Sequence, residues 1–204
     1  MIRIVSLLIF KIGWVGLMAG MTLGCVHQVV AYHPQESLKE PLVFGHIELW
    51  QAEPSGRRYL PELSKFEFIE KEGGRRYRMS INASSFYFFL SLNPGQYQIT
   101  RVFIQEGWFR ANAEVPLEFK VPEQGVAYLG MWRLQIGPPN FMRKLGVKVF
   151  SQPVEAMAEL RMKYPAVSLN SVQTELAEPV ELRSRLYPIT PYPRFWWFNR
   201  QNPT

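Results

Sequence analysis

The chain contains no aspartate; all 17 of its acidic residues are glutamate. It has one cysteine, Cys25, and three histidines, His27, His33 and His46. No internal disulfide can form, so the fold must stand on its core. A Ser-His-Asp triad is excluded, and a Ser-His-Glu version would have to use His46. Zinc sites want clustered cysteine and histidine at ligand spacing, and EF-hand loops want runs of aspartate or asparagine; neither pattern occurs. No glycine-rich phosphate loop is present either. These absences point to a non-enzymatic protein with no catalytic residues, no metal and no cofactor.

What is present begins with an address. Arg3 and Lys11 precede an uncharged, mostly apolar run, Ile12 to Leu23, that is short for a bilayer span. It leads into Thr22-Leu23-Gly24-Cys25. A thioether to a lipid needs a thiol, and Cys25 is the one thiol in the chain; with Gly24 just before it, the sequence resembles bacterial lipoprotein precursors, which carry a small residue there. The resemblance implies a signal peptide over 1–24, diacylglycerol and palmitate on Cys25, and a lipidated tether over 25–41. Val26 in place of an aspartate after the cysteine implies outer-membrane sorting, with the protein facing the periplasm. Losing Arg3 and Lys11 leaves 21 basic against 17 acidic residues, a mature net charge of +4. In that compartment nucleic acid is not an expected partner; the membrane, an envelope protein or a cell-wall glycan is.

Residues 42–151 read as a β-sandwich domain. Hydrophobic residues make up 47% of the chain, ample for a core, and 16 prolines and 14 glycines favour short strands over long helices. The densest stretch is Phe86 to Gln105, two aromatic and β-branched runs around Asn93-Pro94-Gly95. Pro94-Gly95 suits a type II turn. Read as a hairpin, it sets Leu92 opposite Tyr97, Leu90 opposite Ile99 and Phe86 opposite Phe103. Gly73-Gly74 predicts a second hairpin with a type I′ turn, pairing Glu72 with Arg75, Glu70 with Tyr77, Phe68 with Met79 and Phe66 with Ile81. Leu42–Gln51, Val115–Val121, Val126–Ile136 and Leu145–Phe150 are further strands, with a loop at Glu106-Gly107-Trp108. Ile47 and Leu49 mark the core face of the first strand. A helix is predicted from Pro153 to Tyr164, with proline at its first position and Pro165 ending it. One weak strand, Val180 to Leu186, precedes an irregular tail of prolines and aromatics, so 152–204 is a C-terminal helix and tail.

The run Phe88, Leu90, Leu92, Pro94, Gly95, Tyr97, Ile99 is similar to a motif of prealbumin-like and carboxypeptidase regulatory-like domains, including lipoprotein domains of unknown function. Phe119-Lys120-Val121, Gly125 and Tyr128-Leu129-Gly130 continue it. The resemblance implies one antiparallel sandwich of about seven to eight strands over Leu42–Phe150, and it carries no catalytic residue.

Two stretches are candidate binding surfaces. One is the tail, where Tyr192, Phe195, Trp196 and Trp197 offer aromatic faces for a glycan or a protein. The other is the basic set Arg57, Arg58, Arg75, Arg76 and Arg78, in turns expected at one end of the sandwich. The leading reading is a membrane-anchored, non-catalytic binding or scaffolding module for another envelope protein. A carbohydrate- or peptidoglycan-binding module using the tail is the alternative. A glutamate-dependent hydrolase drawing on Glu106, Glu114 or Glu118 is the third.

Overall fold

The structure, a computed structural model, describes residues 26–28, 41–51, 59–138, 143–165, 167, 172–180 and 183–190. The described residues are mainly β and form two facing sheets with one short helix. The strands are β1 (Val26–Gln28), β2 (Leu42–Gln51), β3 (Glu62–Glu70), β4 (Arg76–Ala83), β5 (Ser85–Ser91), β6 (Gly95–Glu106), β7 (Phe109–Val121), β8 (Val126–Ile136) and β9 (Lys144–Phe150). After helix α1 (Pro153–Lys163) come four short strands: β10 (Val172–Thr174), β11 (Glu178–Pro179), β12 (Arg183–Arg185) and β13 (Tyr187–Pro188). Sheet A runs β1-β4-β3-β6-β7-β11, with β13 also on β7; sheet B runs β12-β9-β8-β2-β5, with β10 also on β8.

The apolar alternation of the strands fills the space between the sheets. Phe109, Ala111, Ala113, Val115, Leu117, Phe119 and Val121 of β7 are all buried, every second residue along the strand. Phe66, Phe88, Phe119 and Trp132 meet in the middle with ring centroids 4.7–6.4 Å apart. The Trp132 indole donates to the Leu129 carbonyl at 3.0 Å, so its polar edge is satisfied. Helix α1 covers the far face of sheet B. Ala156, Leu160 and Tyr164 bury against Leu42, Phe44, Phe89 and Tyr128, while Val154 faces solvent. Ile47 and Leu49 of β2 face the main core, and Phe44 is buried on the opposite side beneath the helix.

The Pro94-Gly95 turn is a corner between the sheets and not a hairpin. β5 pairs with β2, setting Phe86 opposite Ile47 and Leu90 opposite Val43. β6 pairs with β3 and β7 in the other sheet. A two-residue hairpin needs a primed turn whose twist matches the strands, whereas a proline-led type I or II turn splays them. The corner is locked by Tyr97, fully buried, whose hydroxyl donates to the Asn93 carbonyl at 3.0 Å. This is the tyrosine-corner arrangement known in sandwich folds.

The β3–β4 register also differs from expectation. Phe66 lies opposite Met79 and Phe68 opposite Tyr77, two residues from the predicted pairing. The connection is the four-residue loop Lys71–Gly74, closed by Gly74 N–H to the Glu70 carbonyl at 2.9 Å, with Gly74 alone at φ +67. A shift of two keeps every side chain on its own face, so the burial pattern is blind to it. The observed register sets Tyr77 against Phe68, rings stacked at 5.0 Å, and takes Glu70 out of that position.

Three connections are more ordered than expected. Gly107-Trp108 is a two-residue hairpin turn joining Glu106 to Phe109, with Gly107 at φ +59, as a type II′ turn needs. Val26–Gln28, predicted as tether, pairs in parallel with Arg76–Arg78. The chain after α1, in which one weak strand from Val180 to Leu186 was predicted, instead contributes short strands to both sheets between Val172 and Pro188. β10 adds to β8, β11 to β7, β12 to β9 and β13 to β7 again. It laces one open side of the sandwich, with Ala177 and Leu186 buried in the main core.

The Tyr97 hydroxyl is held well above the usual tyrosine range, first by burial and then by Tyr77 and Glu70. Since the folded value exceeds the unfolded one, this stabilisation is complete below about pH 10 and is lost as the pH rises further. Tyr97→Phe is expected to cost about 1–3 kcal/mol, because the Asn93 carbonyl loses its partner, and to flatten the alkaline fall in stability. Urea unfolding followed by tryptophan fluorescence at neutral and alkaline pH measures both. An unchanged midpoint would show that the corner does not need the bond.

Candidate functional site, a basic groove on sheet A

The outer face of sheet A carries a groove of about 450 Å³ across β4, β3 and β6, lined by Lys65, Glu67, Ile69, Arg76, Arg78, Thr100, Arg101 and Phe103 among others. The lining thus holds four cations and one carboxylate, with Glu114 of β7 opposite Arg101 beside it. Register explains the gathering. Glu67 lies opposite Arg78 on one side and Arg101 on the other, and Ile69 lies opposite Arg76.

Arg101 points outward because of a β-bulge. Tyr97 and Ile99 face the core, but so do Val102 and Ile104, so the alternation changes phase between them. Thr100 is the extra residue against β3, where Ile99 pairs with Phe68 and Arg101 with Glu67; the β6–β7 register shifts at the same place, with Val115 and Pro116 of β7 skipped between Leu117 and Glu114. Its hydroxyl donates to the Glu67 carbonyl at 3.2 Å. The bulge re-aims the side chains beyond it. It turns Arg101 into the groove and puts Phe103 on the outside, away from the predicted partner Phe86. There the Lys65 ammonium sits 4.1 Å from the centre of the Phe103 ring.

The charges of the groove are unequally matched. Arg78 holds Glu67 with Nη2 at 2.7 Å and Nε at 3.0 Å, both on Oε1. Arg76 and Arg101 make no ion pair with any described residue. Of the predicted binding residues, Arg76 lines the groove, while Arg75 lies at the turn, 3.7 Å from Glu70. Arg57, Arg58, Tyr192, Phe195, Trp196, Trp197 and Cys25 lie outside the described residues. Lys65, Arg101 and Phe103 were missed by sequence reasoning. Their signal was the adjacent polar pair Thr100-Arg101, which interrupts an otherwise alternating strand.

The glutamates do not assemble as an acid–base pair. Glu106 is fully buried, 2.8 Å from Arg143, whose guanidinium also lies 4.6 Å from the Phe109 ring centre. Glu114 and Glu118 share the outer face of β7 four residues apart, about 13 Å along a strand. Glu118 binds Lys71 at 3.0 Å and stands level with Glu178 on an exposed edge.

His46 does meet a serine. Its Nε2 is 2.7 Å from Ser85 Oγ, and its ring stacks on Tyr87 at 4.3 Å. The nearby carboxylate, Glu48, is taken by Arg133 at 2.9 Å. Among the described residues the contact is therefore a dyad without the oriented third group that activates a serine. Burial lowers the His46 pKa, opposed by Glu48 and Glu155.

No protein-family model matches the chain, and neither a curated protein nor a solved structure is significantly similar to it.

Two outcomes test these assignments. Glu106→Gln is expected to destabilise by about 3–5 kcal/mol, since it leaves the Arg143 charge buried beside a neutral amide. A smaller loss than about 1 kcal/mol in urea unfolding would refute a structural role for the pair. For His46, the unfolded state takes up the proton first as pH falls, so stability is complete above about pH 6.5 and declines below it. His46→Gln should remove that part of the acid-side decline in thermal melts taken between pH 5 and 8. A wild-type profile that the substitution leaves unaltered would contradict the assignment.

Proposed function

We propose that this is a lipid-anchored envelope protein whose sandwich is a non-catalytic binding or scaffolding module. In this reading Cys25 carries the acyl chains, the domain belongs with the prealbumin-like, carboxypeptidase regulatory-like lipoproteins it resembles, and it faces the periplasm from the outer membrane. The observation that carries the binding half is the groove with two arginines, Arg76 and Arg101, that no described carboxylate neutralises. Unpaired guanidiniums gathered beside apolar Ile69 and Phe103 suit an anionic partner, since arginine is weakly hydrated and pairs well with carboxylate and phosphate. The buried Glu106 and the incomplete His46–Ser85 pair favour binding over catalysis.

Palmitate labelling in cells tests the anchor. Wild type should be labelled and Cys25→Ser should not; equal labelling sinks it. Arg76→Glu/Arg101→Glu tests the surface. Both residues are exposed, so the loss of stability should stay within about 1–2 kcal/mol, part of it from Glu67 and Glu114 opposite position 101. Adducts formed in the envelope by a benzophenone amino acid at Ile69, whether to protein or to lipid, should be lost. Adducts that persist at wild-type yield would remove the groove as the working surface.

A further inference from the structure

We infer that the anionic partner of the groove is the headgroup layer of anionic phospholipid in the same bilayer that holds the Cys25 acyl chains, so that the sandwich lies with the outer face of sheet A against the membrane. This rests on the reading of Cys25 as the lipid anchor.

Three observations lead there. The first is where the chain goes after the cysteine. Val26 is paired with Arg76, and Gln28 with Arg78, in parallel register. Cys25 is one peptide unit before Val26, about 3.8 Å between Cα atoms. An acyl-bearing residue there hangs from the strand bordering the groove, with no length of chain to hold the domain off the bilayer. The second is the spread of charge. Lys65, Arg76, Arg78 and Arg101 lie on three adjacent strands, so β4 and β6 are separated by roughly 10 Å. A single soluble phosphate asks for donors converging on a point, whereas a headgroup layer presents many phosphates over an area. The third is the company the cations keep. Ile69 and Phe103 line the same groove, and Lys65 lies over the Phe103 ring. Cations beside apolar side chains fit the boundary between headgroups and acyl chains. The other broad face of the sandwich is not equivalent, because α1 packs over it.

The test is photo-crosslinking in cells, with the full chain carrying a benzophenone amino acid at Ile69 and the lipids labelled with radioactive phosphate. A phosphorus-labelled adduct is expected. Each basic side chain near an anionic surface contributes about fivefold to its binding, so Arg76→Glu/Arg101→Glu should lower the yield by about tenfold or more. Lys144→Glu/Lys148→Glu, the same charge change on exposed residues of β9, should leave it intact. An adduct to a protein instead would overturn the headgroup assignment and leave the binding module standing. No adduct from a chain that takes up palmitate would overturn the groove as a contact surface. A wild-type chain without palmitate would overturn the anchor itself. Purified lipidated protein in phosphatidylcholine vesicles, with and without phosphatidylglycerol, separates lipid from free anion. Crosslinking is expected in the phosphatidylglycerol vesicles alone. Its loss to inorganic phosphate at matched ionic strength would mean a soluble-anion site and overturn the proposal.

Discussion

The corner at Leu92–Tyr97 decides which strands become neighbours. β5 leaves one sheet at Ser91 and β6 enters the other at Gly95. The hydrogen bond from the Tyr97 hydroxyl to the Asn93 carbonyl closes this short passage. Tyr97 also packs with Phe68, Tyr77 and Phe119, at centroid distances of 5.4–6.1 Å. The residue that fixes the crossing thus also anchors the first aromatic layer of sheet A. Once β6 is committed there, β3 and β7 can flank it. The Thr100 bulge and the groove built upon it then follow. Had the same residues closed a hairpin, β6 would have joined β5 in sheet B, and Lys65, Arg76 and Arg101 would not share a face.

The second constraint is closure without a disulfide. A sandwich has open sides where the two sheets part and strand edges where backbone groups lack partners. Here the segment after α1 crosses between the sheets repeatedly. Glu175 N–H donates to the Tyr128 carbonyl, Ala177 to Leu129, Val180 to Pro116 and Leu186 to Arg143, all at 2.8–3.1 Å. Thr190 finishes the lacing at the Gly107-Trp108 turn, accepting from Arg110 N–H and donating to the Trp108 carbonyl. Gly130, at φ +97, marks the place on β8 where one neighbour gives way to another. β10 borders Val126–Tyr128 and β9 borders Met131–Ile136. A side chain there would meet Val149 at 2.9 Å, so the glycine serves both the bulge opposite Gly45 and the packing of β9.

How much of this was legible follows from the period of a strand. Alternation and turn signals identified β8 and β9 to within a residue, and the second half of β7, where Val115, Leu117, Phe119 and Val121 alternate with polar or proline residues; Phe109–Glu114 was not read as strand. The helix was legible from Pro153, Ala156, Leu160 and the stop at Pro165. Alternation has a period of two, so it cannot distinguish a register from one shifted by two. That is why Phe68 was matched with Met79 in place of Tyr77. Nor does it say whether consecutive strands share a sheet: Leu90 and Ile99 are core residues in either arrangement. The site was less legible than the fold. Arg76 was found through a local basic cluster, but its groove partners Lys65 and Arg101 come from strands distant in sequence. Arg101 also depends on a bulge that a strict alternation places on the wrong face. The short strands after α1 carry almost no pattern of their own, since two or three residues cannot show a period and their pairing is set by the edges they cover.

The placement of arginines separates structure from function on physical grounds. Arg143 is buried and held by Glu106 and the Phe109 ring, where a guanidinium without a carboxylate would be costly. It sits where the β6–β7 hairpin meets the lacing segment, its carbonyl accepting from Leu186 N–H. A pair in that position specifies how the tail docks more than it adds stability, because desolvation offsets much of its attraction. Arg78 and Arg133 each hold a glutamate across neighbouring strands, and such half-exposed pairs contribute little beyond register. Arg76 and Arg101 do neither of these things. Neither makes an ion pair with any described residue, and both lie beside apolar side chains on the face bordered by the strand that follows Cys25. The fold does not need them there, so the reason for their position is sought in what approaches that face.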